Sequence, residues 1–218
     1  MPGMVLPRPA LLLPVLAAGL LAAGCDLADD GPRTTQARDL APFTRVDNRD
    51  SVDVRVHVGE PQRVRVRAGS KVIGDVGTEV HDGTLRLTFD HGGFLGDDVV
   101  VEAWVPRLDA VDASGSGDVD ADGIEADAFA VRSEGSADVD LEGIADRLAV
   151  AVDGSGDVRL ADLEAREAQV DSDGSGDVEV RAGDRLLVGV DGSGDVRYHG
   201  DPILTRRVDG SGEVSRAS

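Results

Sequence analysis

Six copies of one short motif occupy the second half of this 218-residue chain and restrict the folds open to it. Its commonest form is an acidic residue followed by glycine, serine, glycine and aspartate. The copies span residues 114–118, 134–138, 153–157, 173–177, 191–195 and 209–213. Their final acidic residues lie 20, 19, 20, 18 and 18 positions apart. A period near 20 is typical of a solenoid, in which each repeat forms one coil stacked on the next.

Apolar and polar residues alternate around each motif, which is the pattern of a β-strand with one buried face. In the third copy, Val152 and Val158 share their parity with the two motif glycines and should face inward, while Asp153 and Asp157 face outward. The residue after every motif is a valine: Val119, Val139, Val158, Val178, Val196 and Val214. The sequence therefore predicts an all-β solenoid of about six C-terminal coils, spanning residues 107–216.

Residues 41–106 form a β-rich N-terminal part. Alternating segments predict strands over residues 52–58, 64–68, 85–89 and 99–105, with a hairpin turn at 59–61, a turn at Asp82-Gly83 and a loop over 90–98. Trp104 lies in the last of these segments and is expected to pack in the core. Whether this part is a separate domain or the first coils of one solenoid stays open at this stage.

The two ends of the predicted solenoid differ. Residues 41–106 are expected to cover the first end. At the other end, Arg206 and Arg216 stand where the preceding coils have apolar residues. This substitution suits a terminal coil that is exposed to water.

The N-terminus has the layout of an export signal. Arg8 is followed by a short apolar run and then by Ala22, Ala23, Gly24 and Cys25, the only cysteine of the chain. The pattern resembles a bacterial lipobox, which predicts a signal peptide over residues 1–24 and a lipid on Cys25. An ordinary secreted protein with a chance cysteine is the alternative. Residues 25–40 are polar and predict a flexible tether.

Charge and composition exclude several classes of partner. The net charge is −20, which would repel the phosphates of nucleic acids and disfavour direct docking on anionic lipid. Aromatic residues make up only 3% of the chain, so an aromatic ligand platform is not expected. Attachment to a membrane is therefore expected through a lipid anchor at Cys25.

The combination of these features resembles a known family. The lipobox, the β-rich lead-in, the Val105-Pro106-Arg107-Leu108 step and the repeated Ser-Gly-Ser-Gly-Asp-Val are similar to the DUF2807 family, described as "putative auto-transporter adhesin, head GIN domain". The resemblance covers residues 41–216. It implies a right-handed parallel β-helix-like fold on the bacterial cell surface and says little about activity.

The outward acidic residues are the candidate binding site. The first acidic column contains Asp118, Asp138, Asp157, Asp177, Asp195 and Glu213. The second acidic column contains Glu134, Asp153, Asp173, Asp191 and Asp209. Carboxylates on coils about 4.8 Å apart would repel by about 0.9 kcal/mol at the dielectric of water, and calcium could relieve this repulsion. The alternative is that Asp and Ser bond to nearby backbone groups at the bends.

No catalytic arrangement emerges from the sequence. The four histidines have no metal-ligand spacing, and none is a plausible partner for a serine nucleophile. The expected function is a non-enzymatic, exported cell-envelope lipoprotein with a structural or adhesive role towards a surface protein or glycan. A calcium-dependent binding module that uses the acidic columns is the alternative. A glycan-processing enzyme is less favoured, because a regular stripe offers many equivalent carboxylates rather than two distinct ones.

Overall fold

The computed structural model describes residues 30–90 and 99–217, which form a β-solenoid of about five turns. The predicted signal peptide (1–24), Cys25 and most of the predicted 90–98 loop lie outside the described residues. The strands are β1 (Arg33–Arg38), β2 (Arg45–Asn48), β3 (Asp53–Val58), β4 (Arg63–Gly69), β5 (Val76–His81), β6 (Thr84–Phe89), β7 (Val100–Val105), β8 (Ala110–Ala113), β9 (Val119–Ser133), β10 (Val139–Val152), β11 (Val158–Ser172), β12 (Val178–Val190), β13 (Val196–His199), β14 (Ile203–Val208) and β15 (Val214–Arg216). A 3-10 helix, Ile73–Asp75, precedes β5.

Each central repeat forms one long strand that contributes to two faces of the solenoid. The first halves of β9 to β12 pair in parallel, with β3 on one side and β13, then β15, on the other. Their second halves pair with β8 and, at the far end, with β14. We call these two sets face A and face B. β7 and β4 extend face A beyond β3, and β2 and β6 extend face B beyond β8.

The core consists of β-branched and aliphatic columns between the two faces. The six valines that follow the motifs are all at most 4% exposed, which confirms the predicted column. A second column on face B is equally buried and contains Val111, Val131, Val150, Val170 and Val188. Burying a valine or leucine side chain stabilises a fold by about 1.5–3 kcal/mol, so the stacked columns hold a chain that has few aromatic residues.

The motif glycines lie at corners where successive coils approach closely. A Cβ placed on Gly174 would come within 3.0 Å of the carbonyl oxygen of Gly154 in the preceding coil. The first motif glycine is present in all six copies, whereas the second is replaced once, by the buried Ala137. A Cβ on Gly176, at the second position, would likewise come within 3.0 Å of the carbonyl oxygen of Gly156, so both glycines allow close approach of the coils, and the coil with Ala137 accommodates a methyl group at the second position.

The N-terminal part belongs to the same sheet as the repeats. β3 pairs with β9 on face A, and β2 pairs with β8 on face B, so residues 41–106 supply the first coils and the cap. β5 and β6 form an antiparallel hairpin. Asp82 and Gly83 both have positive φ, at 50° and 73°, as a tight two-residue hairpin turn requires, which confirms the predicted turn.

The hairpin predicted at residues 59–61 is wrong. β3 and β4 are not neighbours, because β7 lies between them and pairs with both. Turn residues indicate that the chain reverses but not which strand becomes the neighbour. Here the apolar residues of β7, including Val101 and Ala103, are buried and take the central position.

The predicted tether over residues 25–40 is wrong for Arg33–Arg38. This segment forms the edge strand β1, which pairs antiparallel with β4. An edge strand is held by backbone hydrogen bonds and needs no apolar face, so its polar sequence did not reveal it.

The terminal coil has the predicted exposed character. Arg206 stands opposite the buried Val188 in the register of β12 and β14, and it is exposed to solvent. Its guanidinium donates to the carbonyl of Val214 at 2.7 Å. Ile203, on the same strand, is 73% exposed.

Candidate functional site

The two acidic columns stack in register at the corners of the solenoid, as the sequence predicts. The backbone amides of the motif serines donate to motif glycine carbonyls of the preceding coil, for example Ser175 to Gly154 at 2.9 Å and Ser193 to Gly174 at 2.9 Å. This ladder fixes the same side chains at the same height in every coil.

Each carboxylate of the first acidic column except that of the terminal Glu213 accepts a hydrogen bond from the backbone of the next coil. The amide of Asp157 donates to Oδ1 of Asp138 at 2.9 Å, and the amide of Asp177 donates to Oδ1 of Asp157 at 3.0 Å. The same bond joins the remaining neighbours of the column, through to Glu213 on Asp195. The carboxylate therefore takes the place of a backbone carbonyl where the corner interrupts the ladder.

Sequence analysis missed the first member of this column. Oδ1 of Asp53 accepts the amide of Asp118 at 3.2 Å, so Asp53 occupies the equivalent position in the first coil. The signal was present as Asp50-Ser51-Val52-Asp53-Val54, a degenerate copy of the motif without its glycines.

Arginines bridge successive members of both columns. Arg159 contacts Asp138 at 2.8 Å and Asp157 at 3.0 Å, and Arg197 lies between Asp177 and Asp195. In the second acidic column, Arg132 bridges Glu134 and Asp153, and Arg207 bridges Asp191 and Asp209. These pairs reduce the repulsion that the stacking of like charges would otherwise produce.

The hydrogen bonds of the first acidic column change the pKa of one carboxylate. The hydrogen bond from the Asp157 amide, together with Arg159, lowers the pKa of Asp138 below its ordinary value of 3.8. This shift agrees with a structural use of the column, in which the ionised carboxylate is the form that the corner stabilises.

A calcium ladder on these columns stays a prediction. Within residues 30–90 and 99–217, no group of three or more His, Cys, Asp or Glu side chains has an arrangement that could hold a metal ion. The Oδ1 atoms of the first column already accept backbone amides, which leaves one oxygen of each carboxylate for other partners.

Trp104 does not pack in the core as expected. It points outward from face A, is partly exposed, and has the guanidinium of Arg63 at 4.1 Å from its ring centroid. On its other side, the ring of His57 lies at 5.3 Å and hydrogen-bonds to Asp122 at 2.7 Å. Because its cross-strand neighbours flank the ring, Trp104 is a surface packing element rather than an open stacking platform.

A second candidate site is a groove on face B, which sequence analysis did not predict. It has a volume of about 1110 Å³ and crosses β6, β2, β8 and the second halves of β9 to β12. Ala110, Ala130 and Ala149 stand opposite one another on β8, β9 and β10 and form its floor. Small outward side chains at this height leave a recess between the larger residues on either side.

The groove concentrates positive charge. Its lining arginines are Arg45, Arg86, Arg107, Arg132, Arg147 and Arg185. Arg86 and Arg107 pair with Asp47 and Asp109. By contrast, Arg45, Arg147 and Arg185 are exposed and form no ion pair with any described residue.

One lining carboxyl has an altered acidity. Burial, followed by repulsion from Asp47 and Glu134, raises the pKa of Asp112 above 3.8. Arg49 holds Asp47 at 2.7 Å, so the two neighbouring carboxyls have different environments. Both lie at one end of the groove, away from Arg147 and Arg185.

Fold and surface together define a β-solenoid protein whose corners are held by repeated aspartate–backbone bonds. The chain belongs to the DUF2807 family, described as "Putative auto-transporter adhesin, head GIN domain", whose model matches residues 42–202. This confirms the resemblance seen in the sequence. No curated protein sequence matches significantly.

Solved structures share the fold. A "putative adhesin" from Bacteroides fragilis has a TM-score of 0.67 at 20% identity and covers 85% of this chain and 97% of its own. A "putative lipid binding protein" from Parabacteroides distasonis has a TM-score of 0.53 at 20% identity, covering 86% and 98%. A "putative adhesin" from Parabacteroides merdae has a TM-score of 0.50 at 15% identity, covering 86% and 97%. At these identities the likeness concerns the fold.

Proposed function

We propose that the protein is a non-enzymatic cell-envelope lipoprotein that presents its solenoid as an adhesive or structural surface. The observation that carries the proposal is the row of hydrogen bonds between the carboxylates of the first acidic column and the backbone amides of the next coil. Through these bonds the repeated aspartates hold the coils together. Their repetition thus has a structural cause and does not call for catalysis. The family description, which names adhesins, supports the adhesive role.

Attachment through Cys25 is the part of the proposal that the N-terminal sequence supports. In the described ranges, no helix has the length and apolarity of a membrane span. The proposed anchor is a lipid on Cys25, whose acyl chains would each contribute about 0.8 kcal/mol per buried methylene.

Replacing Cys25 with alanine should release the protein from the membrane. The full-length chain is expressed in a bacterium that processes lipoproteins, and the membrane, soluble and medium fractions are assayed by immunoblot. We expect wild type in the membrane fraction and Cys25→Ala in the soluble fraction or the medium. The matched control is Ala22→Leu, which places leucine at its commoner lipobox position and should stay in the membrane. A Cys25→Ala protein that stays in the membrane fraction would refute lipid anchoring.

The alternative is a calcium-dependent binding module, in which calcium would bind the second carboxylate oxygens of the first acidic column and would replace Arg159 and Arg197 in the central coils. Thermal unfolding by circular dichroism, with millimolar calcium and with chelator, separates the two. We expect the same melting temperature in both, because backbone amides and arginines already occupy the columns. Magnesium at equal ionic strength controls for screening. A melting temperature that calcium raises and magnesium does not would favour the calcium-binding module.

A further inference from the structure

The face B groove contrasts with the rest of this acidic molecule. The chain has 42 acidic and 22 basic residues, yet six of the basic residues line this one recess. Of the five lining carboxylates, Asp47, Asp109 and Glu167 are paired with arginines, whereas Asp171 accepts only the neutral side-chain amide of Gln169 and Asp112 forms no ion pair with a described residue. Two carboxylates and three arginines of the groove therefore have no partner of opposite charge, which leaves a small positive excess.

Three guanidinium groups remain to recognise a partner. Arg45, Arg147 and Arg185 lie on β2, β10 and β12. With strands about 4.8 Å apart, Arg147 and Arg185 are separated by two strands, or about 10 Å, with Glu167 of β11 in register between them. Arg45 and Arg147 are separated by three strands, or about 14 Å. The free positive charges are therefore sparse and spread along the direction in which the coils stack.

The floor between these charges is mostly apolar. Ala130 and Ala149 are exposed on adjacent strands in register, and the row continues through the polar Gln169 on β11 to Leu187 on β12, which is 42% exposed. Such a strip can lie against the carbon-bound hydrogens of a sugar ring, while the arginines at its sides donate paired hydrogen bonds to carboxylates.

We infer that this groove binds a linear acidic polysaccharide, one that carries uronic-acid carboxylates, lying along the stacking direction of the coils. This ligand deepens the proposed adhesive role and rests on it. A uronate polymer has well-separated carboxylates, which suits three dispersed arginines. Nucleic acid carries one charge per about 1.7 Å and would be repelled by the second acidic column, which begins beside the groove where Arg132 contacts Glu134.

Binding of the full-length protein in detergent to fluorescent uronate polymers tests the inference. The probes are polygalacturonate, alginate and hyaluronate, followed by fluorescence anisotropy at low and physiological salt. We expect at least one to bind, with affinity falling as salt rises. The Arg147→Gln/Arg185→Gln variant should weaken that binding by about tenfold or more, because two paired donors are lost. Circular dichroism should show an unchanged fold, since both side chains are exposed and unpaired.

Matched controls isolate the groove from net charge. Arg55→Gln/Arg67→Gln removes the same charge from face A and should leave the affinity within about twofold of wild type. Fully methyl-esterified polygalacturonate and single-stranded DNA of equal length should bind far more weakly than the acidic polymer. No binding of any of the three uronate polymers, equal binding by the groove variant, or preference for DNA would each overturn the inference. Membrane release by Cys25→Ala is scored separately, so failure of anchoring and failure of glycan binding are distinguishable.

Discussion

Replacing Gly174 with alanine is expected to destabilise the solenoid by about 3 kcal/mol, at the upper end of what overpacking costs. The added Cβ would lie within 3.0 Å of the carbonyl oxygen of Gly154. That oxygen belongs to backbone and accepts the amide of Ser175 in the corner ladder. The clash can therefore be relieved only by separating two coils, which weakens the hydrogen bonds and the valine column together.

Thermal unfolding of the full-length protein measures this effect. For a protein of this size, about 3 kcal/mol corresponds to a fall in melting temperature of about 6–12 °C. The matched control is Gly183→Ala in β12, where the nearest atom to the new Cβ is the carbonyl oxygen of Ala165 at 3.8 Å. This control should melt within a degree or two of wild type. Equal melting of Gly174→Ala and Gly183→Ala would show that the corners are not closely packed.

The second motif glycine offers an internal comparison. Ala137 occupies this position in the second copy and is fully buried there. One coil of the natural protein therefore accommodates a methyl group where the other copies have glycine. A Cβ on Gly176 would also come within 3.0 Å of a backbone carbonyl oxygen, that of Gly156. The Ala137 precedent is therefore the reason to expect that Gly176→Ala lowers the melting temperature by less than Gly174→Ala, since the first glycine position has no such precedent in any of the six copies.

The fold was predictable because the repeat and the strand parity reinforce each other. Parity alone placed Val152 and Val158 inward, and the repeat extended that assignment to the other coils. What the repeat did not cover was predicted less well. The order of β3, β7 and β4 depends on which strand buries its apolar residues most fully, and local turn signals at residues 59–61 carry no such information. The position of Trp104 was mispredicted for the same reason. Arg63 and His57 lie beside its ring only because β7 stands between β4 and β3.

The groove was harder to predict because its residues share no motif. They come from seven strands and from the segment between β7 and β8, and are brought together mainly by the register of the strands. One signal was nevertheless available. Arg147 and Arg185 each stand ten residues before the final aspartate of their own motif, Asp157 and Asp195. Aligning the repeats on that aspartate would have placed both arginines in one outward row. The volume of the recess, by contrast, depends on the packing of neighbouring side chains and could not be read from spacing.

Removing the first acidic column in the central coils is expected to have the second large effect on stability. In the triple variant Asp138→Ala, Asp157→Ala and Asp177→Ala, the amides of the following coils lose their acceptors. A lost hydrogen bond of this kind costs about 1 kcal/mol, so the triple variant should lose about 3 kcal/mol, with some departure from additivity between neighbours. These side chains are partly exposed, and water can replace part of each bond, which keeps the individual effects small.

The matched asparagine variant separates hydrogen bonding from charge. Asparagine keeps a side-chain oxygen that can accept the same amide, so the triple Asn variant should recover most of the melting temperature that the triple Ala variant loses. It would not restore the ion pairs with Arg159 and Arg197, which are exposed and contribute little. If the Ala and Asn variants melt at the same temperature, the carboxylate oxygens are not functioning as backbone acceptors.

Acid titration gives the ladder a further signature through Asp138. Because folding lowers the pKa of this carboxyl below 3.8, ionised Asp138 stabilises the fold at pH values above 3.8. The contribution is lost as the pH falls through the lowered folded-state value. We therefore expect Asp138→Asn to melt below wild type at pH 7 and the difference to shrink as the pH is lowered from 4 towards 2. A difference in melting temperature that is constant with pH would contradict this expectation. It would mean that the charge of the Asp138 carboxylate contributes nothing to the hydrogen bond with the Asp157 amide.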